Sequence, residues 1–189
     1  NREKNIQISY FGALNKIRSP LKLIKIFIKL KKKKLIAKNL EMHFYSNLDK
    51  YLKTINLNQK NYYLKNKVHF HNSLSHRDSL KKMHEFSILL SMDAEGTENI
   101  YLTTKLIHYL NIRKPVLNIT QKNSPNYKLG KLANFFFLNI NDKKHIELNL
   151  VQSLSKYITF KPNENIIKRY ESKNVSKLWK RLILNTLKL

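Results

Sequence analysis

The sequence predicts an α/β fold, a doubly wound parallel sheet of about six strands with a C-terminal helical tail. Three observations carry that reading. Short apolar runs of strand length alternate along the chain with segments whose apolar residues recur at helical spacing. One stretch, Phe86–Thr120, reads as strand, loop, helix and strand, and a unit of about thirty residues of this kind is a parallel crossover. The 189 residues, 42% of them hydrophobic and 11% aromatic, are enough for one substantial core.

The elements follow in order. Asn5–Gly12 alternates and runs into a glycine, as a strand ending in a turn does. Pro20 suits the first position of a helix with Ser19 as its cap, and Leu21, Ile24, Phe27, Ile28 and Leu35 mark one face. The run Lys31–Lys34 then falls at the helix end, where cations favour the dipole. Leu40–Tyr45 is a second strand, and Leu48, Tyr51 and Leu52 fit a short helix. Asn56–Asn66 reads as polar and irregular, and Val68–Phe70 as a third strand. Ser75 caps a helix to His84, with Asp78 three residues on and Leu80 and Met83 facing inward.

The central unit comes next. Phe86–Ser91 is a strand, Asp93–Asn99 a polar loop holding Gly96, and Thr103 and Thr104 are cap candidates. Leu106, Ile107 and Leu110 give the helix face, and Val116–Ile119 the next strand. Ser124–Lys131 is a loop or short helix and Asn134–Leu138 a last strand. Asp142–Tyr157 is a helix with Ile146, Leu150, Leu154 and Tyr157 on one stripe. Pro162 breaks the chain before a helical tail that holds the only tryptophan, Trp179. The expected domains are therefore 1–160 and 161–189. The start at Asn1 rather than Met suggests a domain from a longer chain.

Composition excludes several classes. There is no cysteine, hence no disulfide and no thiolate metal site. No apolar run approaches the roughly 20 residues that span a bilayer. Three glycines cannot make G-x-G-x-x-G, and no G-x-x-x-x-G-K-[ST] loop is present, which disfavours dinucleotide dehydrogenases and P-loop triphosphatases. None of the seven histidines falls in H-E-x-x-H; His43, His69 and His71 lie on strands, and clustered metal ligation is not expected. The net charge of +25 has two readings. One is a polyanion or an anionic membrane as partner; the other is codon composition, since Asn, Ile, Lys and Tyr are abundant while Gly, Pro and Ala are scarce.

In open α/β sheets, ligands sit beyond the carboxyl ends of the strands, and a helix N-terminus there suits a phosphate. The loop Met92–Lys105 is such a place. Lys16 and Arg18, after the first strand and Gly12, supply cations that would suit a diphosphate facing the same crevice.

Three segments carry a resemblance. Y-F-G-A-L-N-K-I-R-S-P resembles the opening of the C-terminal domain of GT-B fold glycosyltransferases, especially retaining family 4. V-H-F-H-N-S-L-S-H-R-D-S-L-K-K-M-H-E-F-S-I-L-L-S-M is similar to that family's third strand, turn, helix and fourth strand. T-K-L-I-H-Y-L-N-I-R-K-P-V-L is similar to its T/S-K-L-x-E-Y-L-A-x-G-K-P-V-L segment. The likeness spans roughly residues 6 to 160. It implies a Rossmann-like half of a GT-B fold that binds a UDP- or GDP-sugar, with no cofactor and no metal. By position, Gly12, Lys16, Arg18, Thr103, Thr104 and Lys105 would meet the donor diphosphate. Asn72, Ser73, Leu74, Glu98, Asn99 and His108 would border base, ribose and sugar. His108 stands where the family carries a ribose-binding carboxylate, Ile100 where it carries a second acid, and Arg113 where it carries a glycine.

The resemblance further implies a retaining hexosyltransferase of bacterial surface-polysaccharide synthesis, inactive as this piece alone. A glycan or lipid-linked acceptor would bind through an N-terminal domain, to which the tail around Trp179 would cross. The expected place is the cytoplasm, with peripheral contact at the inner face of an anionic membrane, and no nucleic-acid partner. Two alternatives stay open: a scaffold homologue that has lost turnover, given His108 and Ile100, and a basic nucleic-acid-binding module, given the charge.

Overall fold

A computed structural model describes residues 5–47, 58–94, 101–139, 141–142 and 144–187. Among these, six strands form one sheet: β1 (Gln7–Phe11), β2 (Glu41–Ser46), β3 (Val68–Asn72), β4 (Ile88–Met92), β5 (Val116–Ile119) and β6 (Phe136–Leu138). The order is β3-β2-β1-β4-β5-β6 and every pairing is parallel. This is the doubly wound, Rossmann-like topology that the alternation predicts. Its switch point lies between β1 and β4, where the chain starts building outwards in the opposite direction.

The helices are α1 (Leu21–Lys32), α2 (Asn58–Lys65), α3 (His76–Met83), α4 (Thr104–Ile112), α5 (Pro125–Leu132), α6 (Ile146–Lys156), α7 (Glu164–Tyr170) and α8 (Ser172–Leu187). They cover both faces. On β1, Ile8 and Tyr10 point to a core shared with Phe27 of α1 and Leu150 of α6. Phe11 points the other way, to a core with Leu106 and Tyr109 of α4, Met83 of α3 and Ile167 of α7. The alternation follows from the two-residue repeat of a strand. β4 is buried along its whole length because both faces are covered. Each of these large apolar side chains contributes about 1.5–3 kcal/mol by leaving water.

Several boundaries differ from the sequence reading. Asn58–Lys65, expected to be irregular, is helical; Tyr63 is buried on the first core and gives the polar segment its apolar anchor. Pro20 is itself the cap of α1, while Ser19 Oγ accepts from Leu21 N at 3.4 Å. Leu35 lies past the end of α1 and is 52% exposed, so it belongs to no helix face. α6 starts at Ile146 rather than Asp142, whose carboxylate accepts from His145 N at 3.0 Å and closes the preceding turn. The expected helix around Leu48, Tyr51 and Leu52 lies outside the described residues. Ser75 does cap α3, accepting from Asp78 N and donating to Asp78 Oδ2 at 2.6 Å.

The tail is two helices. Ile166 and Ile167 of α7 pack into the second core, whereas α8 leaves Leu178, Trp179, Leu182 and Ile183 exposed. Arg113 ends α4 in the left-handed region, at φ 59°. Its guanidinium pairs with Glu164 at 3.1 Å and Glu171 at 3.7 Å, tying α4 to the tail. Among the described residues, no helix is long and apolar enough to cross a membrane.

Candidate functional site

A crevice of 480 Å³ opens at the carboxyl ends of β1 and β2, beside the switch point. Its floor is Phe11, Gly12 and Tyr45; its walls are the turn after β3 (Ser73, Leu74), α3 (His76, Leu80) and the start of α4 (Thr104, Lys105, His108).

The chain leaves β1 through Gly12 at φ 141°, a conformation that side chains disfavour. Gly12 N donates to Tyr45 O at 2.9 Å, and Leu14 N to Ser46 Oγ at 3.0 Å, which pins the loop to the end of β2. A Cβ on Gly12 would collide with Lys105 Nζ. The glycine therefore admits the lysine as well as the turn.

Lys105 and Arg18 meet at Tyr10. Lys105 Nζ donates to Tyr10 Oη at 3.1 Å and lies 4.6 Å from the centre of its ring. The hydroxyl in turn donates to Ala13 O at 3.1 Å, in the glycine loop. Arg18 Nε is buried with no hydrogen-bond partner among the described residues. Burial, then the Arg18 charge, lowers Lys105 to about 8. Burial raises Tyr10 to about 12, against the pull of Arg18. Two cations thus meet in one half-closed corner. An anion placed there would relieve both, and a diphosphate has the charge and the oxygens to do so.

A buried polar network holds the start of α4. Asn126 Oδ1 accepts from Thr103 N at 2.8 Å and from Thr103 Oγ1 at 3.2 Å. Asn126 Nδ2 donates to Asp93 Oδ1 at 2.6 Å, and Thr120 Oγ1 donates to Asp93 Oδ2. Thr120 Oγ1 also lies 2.7 Å from Ser124 Oγ, which caps α5. The carboxyl end of β4 is thereby fastened to the end of β5 and to the N-termini of α4 and α5.

Of the residues singled out from sequence, Gly12, Ser73, Leu74, Thr104, Lys105 and His108 line the crevice. Arg18 acts on Tyr10 and Lys105 but lines a separate cavity with Met92, Asp93 and Thr120. Thr103 turns to Asn126, as the backbone cap of α4 without a side-chain cap bond of its own. Lys16 is exposed and is not among the residues lining the crevice. Asn72 ends β3 exposed, outside the crevice lining. Glu98, Asn99 and Ile100 lie outside the described residues. His108 packs edge-on against His76 with ring centres 5.1 Å apart, and burial, then His76, lowers its pKa. Sequence reasoning missed Tyr10, Asp93 and Asn126. Asp93 did carry a signal, an acid directly after an apolar strand. Asn126 carried none, because its partners are 23 and 33 residues away.

No family model matches the sequence, and no curated protein matches it significantly. Solved structures do match in fold. The C-terminal domain of a glycosyl transferase group 1 family protein (LpcC) from Francisella tularensis is 12% identical, with a TM-score of 0.54, covering 89% of this chain and 82% of that one. Anabaena Alr3699/HepE in complex with UDP-glucose is 13% identical, with a TM-score of 0.55, covering 92% and 49%. A UDP-forming α,α-trehalose-phosphate synthase from Burkholderia vietnamiensis is 9% identical, with a TM-score of 0.61, covering 97% and 44%. This chain therefore spans less than half of the last two. At these identities the likeness is one of fold, and the chain has the GT-B-like architecture.

Proposed function

We propose that this chain is the nucleotide-sugar-binding domain of a glycosyltransferase. The observation that carries the reading is that Lys105 lies over Gly12 in a crevice at the switch point of a GT-B-like sheet, with Arg18 beside it at Tyr10. The donor diphosphate lies against the Gly12 loop, where both cations reach it. Ser73, Leu74 and Leu80 border the nucleoside, and His108 stands in for the carboxylate as partner of a ribose hydroxyl. In transfer, the leaving diphosphate gains charge as its bond to the sugar breaks. Arg18 and Lys105, fixed in place beforehand, stabilise that charge. UDP-glucose in the Anabaena protein and the UDP-forming Burkholderia synthase support a nucleoside diphosphate as the ligand class.

The finer reading is a retaining hexosyltransferase of bacterial surface-polysaccharide synthesis. Its acceptor, a glycan or a lipid-linked sugar, binds on a second domain, against which the exposed apolar side of α8 packs. The basic surface holds it at the cytoplasmic face of an anionic membrane.

The test is a thermal-shift titration with UDP, GDP, ADP and their sugars at moderate salt. A bound ligand stabilises in proportion to its occupancy. A base-selective shift, lost in Arg18→Ala and in Lys105→Ala, is expected. Equal small shifts with every polyanion, abolished by salt, would refute the donor site and favour non-specific charge binding or a scaffold role.

A further inference from the structure

The opposite end of the sheet holds a second cluster of ligating side chains. Glu41 opens β2, and His43 follows two residues later on the same face. In the parallel register His43 lies directly across from His69 of β3. One ligand atom from each of Glu41, His43 and His69 lies within 4.8 Å of the other two. Glu41 Oε2 is 3.3 Å from His43 Nε2 and 3.9 Å from His69 Nε2.

We propose that Glu41, His43 and His69 form a binding site for a divalent transition-metal ion of the zinc class. Three features favour a cation over a cluster held by hydrogen bonds alone. First, the contacts to Glu41 Oε2 are long: Gln7 Nε2 and His43 Nε2 stand at 3.3 Å and His69 Nε2 at 3.9 Å, against about 2.7–2.9 Å for a charge-assisted bond. Ligands about 2.0–2.1 Å from a tetrahedral zinc are about 3.3 Å apart, which is the spacing of Glu41 Oε2 and His43 Nε2, while His69 Nε2 at 3.9 Å would close slightly on a bound ion. Second, His69 Nε2 is buried without a hydrogen-bond partner among the described residues. A lone pair on that nitrogen, aimed into the cluster, is what a metal would use.

Third, an outer shell is in place. His71 Nε2 lies 3.0 Å from His43 Nδ1, the arrangement that orients a ligating imidazole through its other nitrogen. Lys67 Nζ pairs with Glu41 Oε1 at 3.3 Å, and Gln7 Nε2 donates to Oε2 at 3.3 Å, so both oxygens of the carboxylate are held in place. The rings of His43 and His69 stack 4.6 Å apart, with those of His43 and His71 5.3 Å apart. The side chains of Glu41, His43 and His69 are 14%, 12% and 27% exposed, shielded yet open to an entering ion.

Two histidines and a carboxylate leave a fourth position for water, and the set suits zinc, cobalt or nickel better than magnesium or calcium. The site ties the edge strand β3 to β2 near the amino-terminal ends of both strands, with His71 between it and Tyr45 of the crevice floor. Its role is to fasten that edge. It stands or falls independently of donor binding.

The test uses protein carrying no histidine tag and stripped by chelation. It is titrated with Zn²⁺ by calorimetry and with Co²⁺ by visible absorption. One equivalent per chain is expected, with ligand-field bands of a four- or five-coordinate cobalt. His69→Ala should abolish that equivalent, His71→Ala should weaken it about 10–100-fold, and His108→Ala should leave it intact. In the unaltered protein, Zn²⁺ should shift the ring nitrogen resonances of His43 and His69, which keeps the test decisive if His69→Ala does not fold. Absence of a stoichiometric equivalent, equal uptake by His69→Ala, or shifts confined to His76, His108 or His145 would overturn the proposal.

Discussion

Replacing Lys105 by methionine should make this protein more stable at neutral pH while removing one cation of the proposed donor site. The lysine stem is packed against Tyr10, and methionine keeps much of that volume without the charge. In the folded chain Lys105 falls from 10.5 to about 8, chiefly through burial, and a shift of that size corresponds to about 3 kcal/mol of unfavourable charge burial. The variant also loses the hydrogen bond to Tyr10 and the contact with its ring, about 1–2 kcal/mol together. The net gain is about 1–2 kcal/mol, or about 3–6 °C in melting temperature for a chain of this size. The sign with pH follows from proton counting. Between about 8 and 10.5 the unfolded chain holds the Lys105 proton and the folded chain does not, so native stability rises across that window. The advantage of Lys105→Met should therefore be full at pH 7 and shrink by pH 9.5. Thermal melts of both proteins at the two pH values, followed by circular dichroism, read this directly. A variant melting below the parent at pH 7, or a gap that does not narrow at pH 9.5, would refute the assignment of Lys105 as a buried cation.

Two further outcomes bear on the crevice. Gly12→Ala places a side chain at φ 141° and against Lys105 Nζ; it should cost about 1–3 kcal/mol by denaturant melts and weaken nucleotide binding in the thermal-shift titration. Asp93→Ala removes the acceptor of Asn126 Nδ2 and leaves that buried amide unsatisfied, while Thr120 keeps Ser124. A loss of about 1–3 kcal/mol is expected, with hydrogen exchange rising first at the amides of Thr103 and Thr104.

The parallel sheet was legible because burial on two faces writes itself into the chain. β4 and β5 are apolar runs, and the strands alternate with helices of regular spacing. The candidate crevice was half legible. Gly12 and Lys105 are marked by their places after a strand and at a helix start, and Arg18 by its charge near that glycine. Lys16 carries the same local marks as Arg18 yet points to solvent, since two residues of loop decide which side chain turns inward. The helix at Asn58–Lys65 was illegible for a related reason: its sequence is polar, and the packing of Tyr63 on the core, rather than propensity, holds it.

The sequence by itself determined the class of fold, the order of its elements and the position of the glycine turn, because these depend on local spacing. Only the tertiary structure decided which distant residues meet. Tyr10 receives Lys105 across 95 residues. Asp93 reaches Asn126 across 33. Glu41 and His43 face His69 because the β2–β3 register places His43 opposite that residue and not its neighbour. A strand repeats every two residues, so a slip of one would turn His69 to the other face of the sheet. That register is set by the packing of the whole sheet between its helices, which no local pattern encodes.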